Sequence, residues 1–245
     1  MIKPQILWPS LFLLLSIAVV YFANSSILGI REFATAGLGL VGTFLGAMFA
    51  FRLNEQKEKA KDISSRKVAL NKALFTIMRQ HGIVSGLRAQ LGPHTSDFER
   101  AINCPAYLAP DVSTLRIDFE SISFLFESGH PDVLMKLVAE EESFRQAVKT
   151  VEVRSRFILD EVQPAIEVGS LNNRSFSPED FVGKIGERIF ESAVNYARLM
   201  YEEVESSFSG LSSVHSELFT VAKELFPNSL FVKPAYSVLE KMPND

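Results

Sequence analysis

The chain has a single cysteine, Cys104, among 245 residues, so no intrachain disulfide can form. That suits a reducing compartment. Catalytic signatures are missing as well: there is no HExxH, no GxSxG, no Walker loop and no CxxC. Four histidines occur, His81, His94, His130 and His215, and no signature ties any of them to Cys104. The expectation is therefore a non-enzymatic protein with no cofactor and no metal. An excess of positive charge is also lacking. Lys and Arg number 25 against 29 Asp and Glu, a net charge of −4. This argues against nucleic acid as a partner, since affinity there comes from clustered positive charge.

Long uncharged runs, by contrast, are present. Residues 6–23, "ILWPSLFLLLSIAVVYFA", number 18 without a charge, and residues 33–51 number 19. As helices they would be about 27 and 28 Å long, close to a bilayer's hydrocarbon thickness. Trp8 and Tyr21 lie near the ends of the first run, where amphipathic rings favour the headgroup zone. The second run contains Gly37-x-Gly39-x-x-Gly42, the letters of a dinucleotide-binding fingerprint. That motif needs a buried strand before it and an acidic strand end about 20 residues later. Arg31 and Glu32 occupy the strand's place, and Asp62 falls inside the charge run "QKEKAKDISSRK". The same letters also form two small-residue rows, Gly42, Gly46, Ala50 and Thr35, Gly39, Thr43, Ala47. Along such rows membrane helices can touch, one row serving the hairpin and the other a neighbouring subunit. Gly39, Gly42, Thr43, Gly46, Ala47 and Ala50 are thus the candidate helix-packing and oligomerisation residues. A cleaved signal peptide, with Lys3 ahead and Ala23-x-Ser25 as cleavage site, is the alternative for the first run.

Arg52, Lys57, Lys59, Lys61, Arg66 and Lys67 follow the second run, whereas the short loop before it holds only Arg31 beside Glu32. This bias predicts both termini in the cytoplasm, with those basic residues at the membrane surface.

Beyond the apolar runs the helical pattern continues. Residues 52–90 contain no proline, and Gly92-Pro93 is the first stop signal. A stripe of Leu70, Ala73, Leu74, Ile77, Val84, Leu87 and Leu91 must pack on something, with His81 beside it as a packing histidine. Gly82 and Gly86 mark a break or allow close helix contact. Residues 92–113 read as an irregular connection, and "LRIDFESISFLFES" (115–128) as a helix capped by Gly129. Leu134, Leu137, Phe144, Val148, Val151, Ile158 and Val162 form a seam of 3.5-residue period, interrupted by Glu141 and Ser155, with Pro164 ending or kinking the helix. Ser177-Pro178-Glu179-Asp180 opens another helical pattern that runs to Phe226, with Gly210 as a candidate interruption. "ESGHPD" brings Glu127, His130 and Asp132 together as a helix–helix corner. The runs Glu140–Glu142 and Glu202, Glu203, Glu205 read as solvated faces.

The expected fold is all-α: a two-helix transmembrane hairpin (1–53, spans about 6–23 and 33–52), a juxtamembrane helix (54–91) and a cytoplasmic helical bundle (92–245). The expected function is a membrane-anchored, oligomerising interaction or sensor protein of the bacterial inner membrane, non-enzymatic. Its partners would be the lipid bilayer, copies of itself and a cytoplasmic protein. The alternative is a pore-forming or membrane-perturbing effector of toxin or phage-defence type. A hydrolase hidden in the bundle is the weakest reading.

Overall fold

The computed structural model describes residues 30–171 and 178–233. Among them every regular element is helical and no strand occurs. The helices are α1 (Ile30–Leu91), α2 (Phe124–Glu127), α3 (Pro131–Phe157), α4 (Gln163–Val168), α5 (Pro178–Ile185) and α6 (Glu187–Leu225). Single π-helical turns occupy Glu99–Asn103 and Ile158–Val162. Contacts divide the chain into two units, Met1–Asp62 and Ile63–Asp245.

The second unit is built on three long helices. From α1 come Leu70, Leu74, Ile77, Val84 and Leu91, all buried at the spacing of one helix face. α3 contributes Leu134, Leu137, Phe144, Val148 and Val151, and α6 contributes Met200, Val204, Leu211, Val214 and Leu218. These side chains form one apolar cluster. The seam of α3 is not interrupted at Glu141 and Ser155, because both are buried. Each meets a backbone donor instead of water. Glu141 accepts from Ile117 N–H at 3.0 Å and also pairs with Arg145, while Ser155 Oγ accepts from Tyr107 N–H at 2.9 Å.

The Glu141 bond bears on the main difference from the sequence expectation. Residues 115–123 are not helical; only Phe124–Glu127 is. Long-range side chains take the backbone groups a helix would need. Glu141 holds the Ile117 amide, and Gln80 donates to the Leu115 carbonyl at 3.3 Å. Leu115, Ile117 and Ile122 then reach the core from an irregular path. The connection before it is ordered by Ser96 and Glu99, a reciprocal capping box in which each side chain accepts from the other's N–H. Backbone N–H groups of Ser96 and Thr95 hold the Glu99 carboxyl down at about 2.

Pro164 neither ends nor isolates the helix it follows. The wider turn Ile158–Val162 carries the chain from α3 into α4. α1 ends at Leu91, before Gly92-Pro93. The break in the later helical pattern is Gly186, at φ +90°, and not Gly210, which α6 runs straight through. Gly210 is small for a different reason: the Glu140 carboxylate lies where its Cβ would be. Ser177, the expected N-cap, lies outside the described residues.

The membrane topology is corrected. No helix among the described residues is long and apolar enough to cross a membrane. The first expected span, 6–23, lies outside the described residues. The second, 33–52, falls within α1, which over its described residues is not apolar enough to span, with Gly39, Gly42, Thr43 and Gly46 diluting the larger apolar side chains. The two-span hairpin, the bacterial inner-membrane localisation and the cytoplasmic placing of the termini rested on those spans and are withdrawn.

Candidate functional site

Three places bring together side chains with more to do than fill space. The first is the N-terminal stretch of α1. Leu40, Phe49, Phe51 and Leu53 are each more than half exposed. At 100° per residue, Leu40, Val41, Leu45, Met48, Phe49 and Phe51 spread over one half of the helix. Gly39, Gly42, Thr43, Gly46, Ala47 and Ala50 fall on the other half, so the two rows read from sequence merge into one broad small-residue face. Among the described residues nothing lies within 4 Å of a Cβ built at Gly39, Gly42 or Gly46. Thr43 spends its hydroxyl on the Gly39 carbonyl at 2.8 Å.

The basic residues behind this stretch divide. Arg52, Lys57, Lys59 and Lys61 are exposed, and Lys59 pairs with Glu55 at 2.6 Å. Arg66 and Lys67 instead belong to the bundle. The Arg66 guanidinium lies 5.0 Å from the Phe124 ring centroid, and the Lys67 ammonium 5.4 Å from that of Phe226.

The second place surrounds Arg154, which sequence reasoning passed over. Its side chain is fully buried. The guanidinium donates to the carbonyls of Pro105 (2.9 Å), Cys104 (2.6 Å), Arg100 (3.0 Å) and Ala101 (3.4 Å). It therefore caps the C-terminal carbonyls of the π-turn at Glu99–Asn103, where a cation is favoured. Burial pulls its pKa down from the ordinary value. Cys104 is itself buried beneath this knot. Tyr201 donates to the Leu91 carbonyl at 2.7 Å and Tyr107 to the Gln90 carbonyl at 3.1 Å, which ties the end of α1 into the same region. The hydrogen bonds donated by Arg154, Tyr201 and Tyr107 to carbonyls fasten backbone, so the arrangement is a structural clasp around a thiol.

The third place is a pair of core histidines. His215, on α6, is fully buried, and His81, on α1, is 7 % exposed. The His81 ring lies 4.6 Å from that of Phe208. Burial lowers both pKa values, and His81 lowers that of His215 further, to about 4. His81 was legible as a packing residue; His215 was missed, although it shares the α6 stripe with Leu211 and Leu218.

Two clefts are lined by described residues. One, of about 550 Å³, lies between residues 108–113 and α3. Its cations are engaged with carboxylates of the same chain: Arg145 with Glu141, and both Lys149 and Arg156 with Glu152. The other, of about 230 Å³, sits at the end of α1, and there Arg88 pairs with Glu205 at 2.7 Å. Among the described residues no group of three or more His, Cys, Asp or Glu could hold a metal ion. His130 and Asp132 flank the start of α3, the former as its N-cap, which accounts for the "ESGHPD" corner. No protein-family model, curated protein or solved structure matches this chain.

Proposed function

We propose that this chain is a non-enzymatic helical interaction protein that associates with copies of itself through the N-terminal stretch of α1. The observation that carries the reading is the exposure of Leu40, Phe49, Phe51 and Leu53 on a helix apolar on all sides. Such a helix is ordinarily buried, and exposed apolar surface of this kind marks an interaction site. Its two faces differ in a useful way. The small face, Gly39 to Ala50, lets a neighbouring backbone approach, and the bulky face supplies the area that association removes from water. Behind it, Glu55 and Glu58 alternate with Lys57, Lys59 and Lys61, a mixture that avoids like-charge repulsion between copies. The bundle formed by the second unit would be the part that meets another protein. The pore-forming alternative needs helices that cross a membrane, and no observation favours it.

The test is sedimentation velocity of the full chain at 1–50 μM (roughly the range over which weak and strong self-association separate). An oligomer is expected for the unaltered protein. Phe49→Gln with Phe51→Gln should shift it to monomer, as should Gly46→Leu, with the circular dichroism of the bundle unchanged. A monomer throughout that range overturns the reading, and so does an oligomer indifferent to all three changes.

A further inference from the structure

The end of α1 gathers more positive charge than the chain neutralises there. The cleft of about 230 Å³ is walled by Arg88 from α1, His94 from the connection that follows, Arg100 from the π-turn, and Tyr201 and Glu205 from α6. All of them belong to the second unit. Arg88 pairs with Glu205 at 2.7 Å. Arg100 has no carboxylate partner among the described residues. Its neighbour Glu99 is held instead by the N–H groups of Thr95 and Ser96, at 2.9 and 3.1 Å, and by the Thr95 hydroxyl. In the larger cleft, by contrast, Arg145, Lys149 and Arg156 each meet a carboxylate.

Arg100 is also fixed in place. Its Nε donates to the His94 carbonyl at 3.2 Å, and its guanidinium carbon lies 4.5 Å from the centroid of the Tyr201 ring. The terminal nitrogens of the fork take no acceptor among the described residues. A guanidinium held this way presents its donors at little further cost in rotamer freedom. The carbonyls that end α1 are themselves covered by donors. Gln90 accepts from the Tyr107 hydroxyl, Leu91 from the Tyr201 hydroxyl and the His94 N–H, and Arg88 from the Gly92 N–H. The negative end of the helix is thereby masked. What lines the cleft is the guanidinium of two arginines against the carboxylate of Glu205.

We propose that this cleft binds a phosphate group, with Arg100 as its first contact and Arg88 turning from Glu205 to complete the site. Size and geometry point to that class. The volume is below the ~300–1,000 Å³ that encloses a drug-sized ligand, so a nucleotide does not fit and a small oxyanion does. Arginine forks match phosphate oxygens in pairs. Here the forks and the imidazole reach the cleft from separate elements, a spread of directions that suits a tetrahedral anion better than a planar carboxylate. The Arg88–Glu205 pair is about half exposed on both sides and therefore weak, so a doubly charged anion can displace the carboxylate. Glu205 is then an internal stand-in for the ligand, and its removal tightens binding. The site lies wholly in the second unit, so it stands or falls apart from self-association.

The test is protection of arginines from phenylglyoxal, read residue by residue by mass spectrometry on the full chain. Sodium phosphate is titrated at fixed ionic strength, because salt alone screens exposed charges. Arg88 and Arg100 should be protected saturably, with half-protection at about 5 mM phosphate or less, while Arg145 and Arg156 stay reactive. Glu205→Gln should lower the phosphate needed to protect Arg100 about threefold or more, and Arg100→Gln should raise that needed to protect Arg88 about tenfold. Glycerol 3-phosphate, run beside inorganic phosphate, distinguishes a small monoester from the free anion, the tighter binder being the source. Acetate should protect at least about tenfold more weakly than either. The proposal is overturned by protection that is absent or shared equally by all four arginines, by acetate that matches phosphate, or by half-protection indifferent to both substitutions. Should Arg100→Gln fail to fold, Glu205→Gln, at an exposed side chain, decides alone.

Discussion

Arg154 shows how far one side chain can govern a fold when its partners are carbonyls. A buried cation is tolerated only when something polar surrounds it, and here that surrounding is four backbone oxygens from residues 100–105. Truncation to alanine would leave those oxygens buried without donors, at about 1–3 kcal/mol for each left unsatisfied. Allowing for relaxation and water entry, Arg154→Ala should lower stability by about 3 kcal/mol or more. Arg154→Lys should recover little of that, because one ammonium cannot reproduce a planar fork that reaches four acceptors. Urea denaturation of the three proteins checks both statements; a lysine variant as stable as the parent would show that charge, not geometry, holds the turn. Nothing in the local sequence announces this arginine. It stands next to the α3 seam, beside Val151 and Ser155, where a long cation is usually a solvated flank. Its burial is decided by a turn some 50 residues earlier, which no local window contains.

At the scale of single elements, glycines separate what spacing could tell from what it could not. The seams of α1, α3 and α6 were legible because buried positions recur every three or four residues, and that period survives one or two polar intruders. Glycine's meaning depends on neighbours and on backbone angles that the period does not carry. Gly82 and Gly86 neither break α1 nor receive a close neighbour, since among the described residues nothing lies within 4 Å of a Cβ at either position. Gly82→Ala and Gly86→Ala should therefore each stabilise the protein by about 0.5–1 kcal/mol, the ordinary helix-propensity gain. Gly186, at φ +90°, should behave in the opposite way. An alanine there must hold a backbone conformation almost reserved for glycine, and Gly186→Ala should cost about 1–3 kcal/mol. Thermal unfolding followed by circular dichroism distinguishes the two signs. The segment 115–123 failed as a helix for a related reason. Its own residues fit either a strand or a helix, and the choice was made by Glu141 and Gln80, which bind its backbone from other helices.

For the molecule as a whole, the division at Asp62–Ile63 carries the strongest structural claim. Among the described residues the main core cluster begins at Ala69 and draws its members from the second unit. The two smaller clusters, around Ile158 and Phe181, lie in it too. The histidine pair and the Arg154 clasp are likewise built from residues after position 62. About 180 residues are ample for one independent core. A chain beginning at Ile63 should accordingly fold by itself, with a single cooperative urea transition and helical circular dichroism per residue at least equal to that of the full chain. What it should lose is self-association, since Leu40, Phe49, Phe51 and Leu53 are gone with the first unit. Denaturation and sedimentation on this one truncated chain thus check folding and self-association separately. An oligomer that persists without residues 1–62 would move the contact surface onto the bundle, to exposed side chains such as Met135 and Leu159. A chain that unfolds when truncated would instead mean that the first turns of α1 do more than present a surface, and that the core closed by Leu70, Leu74 and Ile77 depends on helix already formed ahead of it.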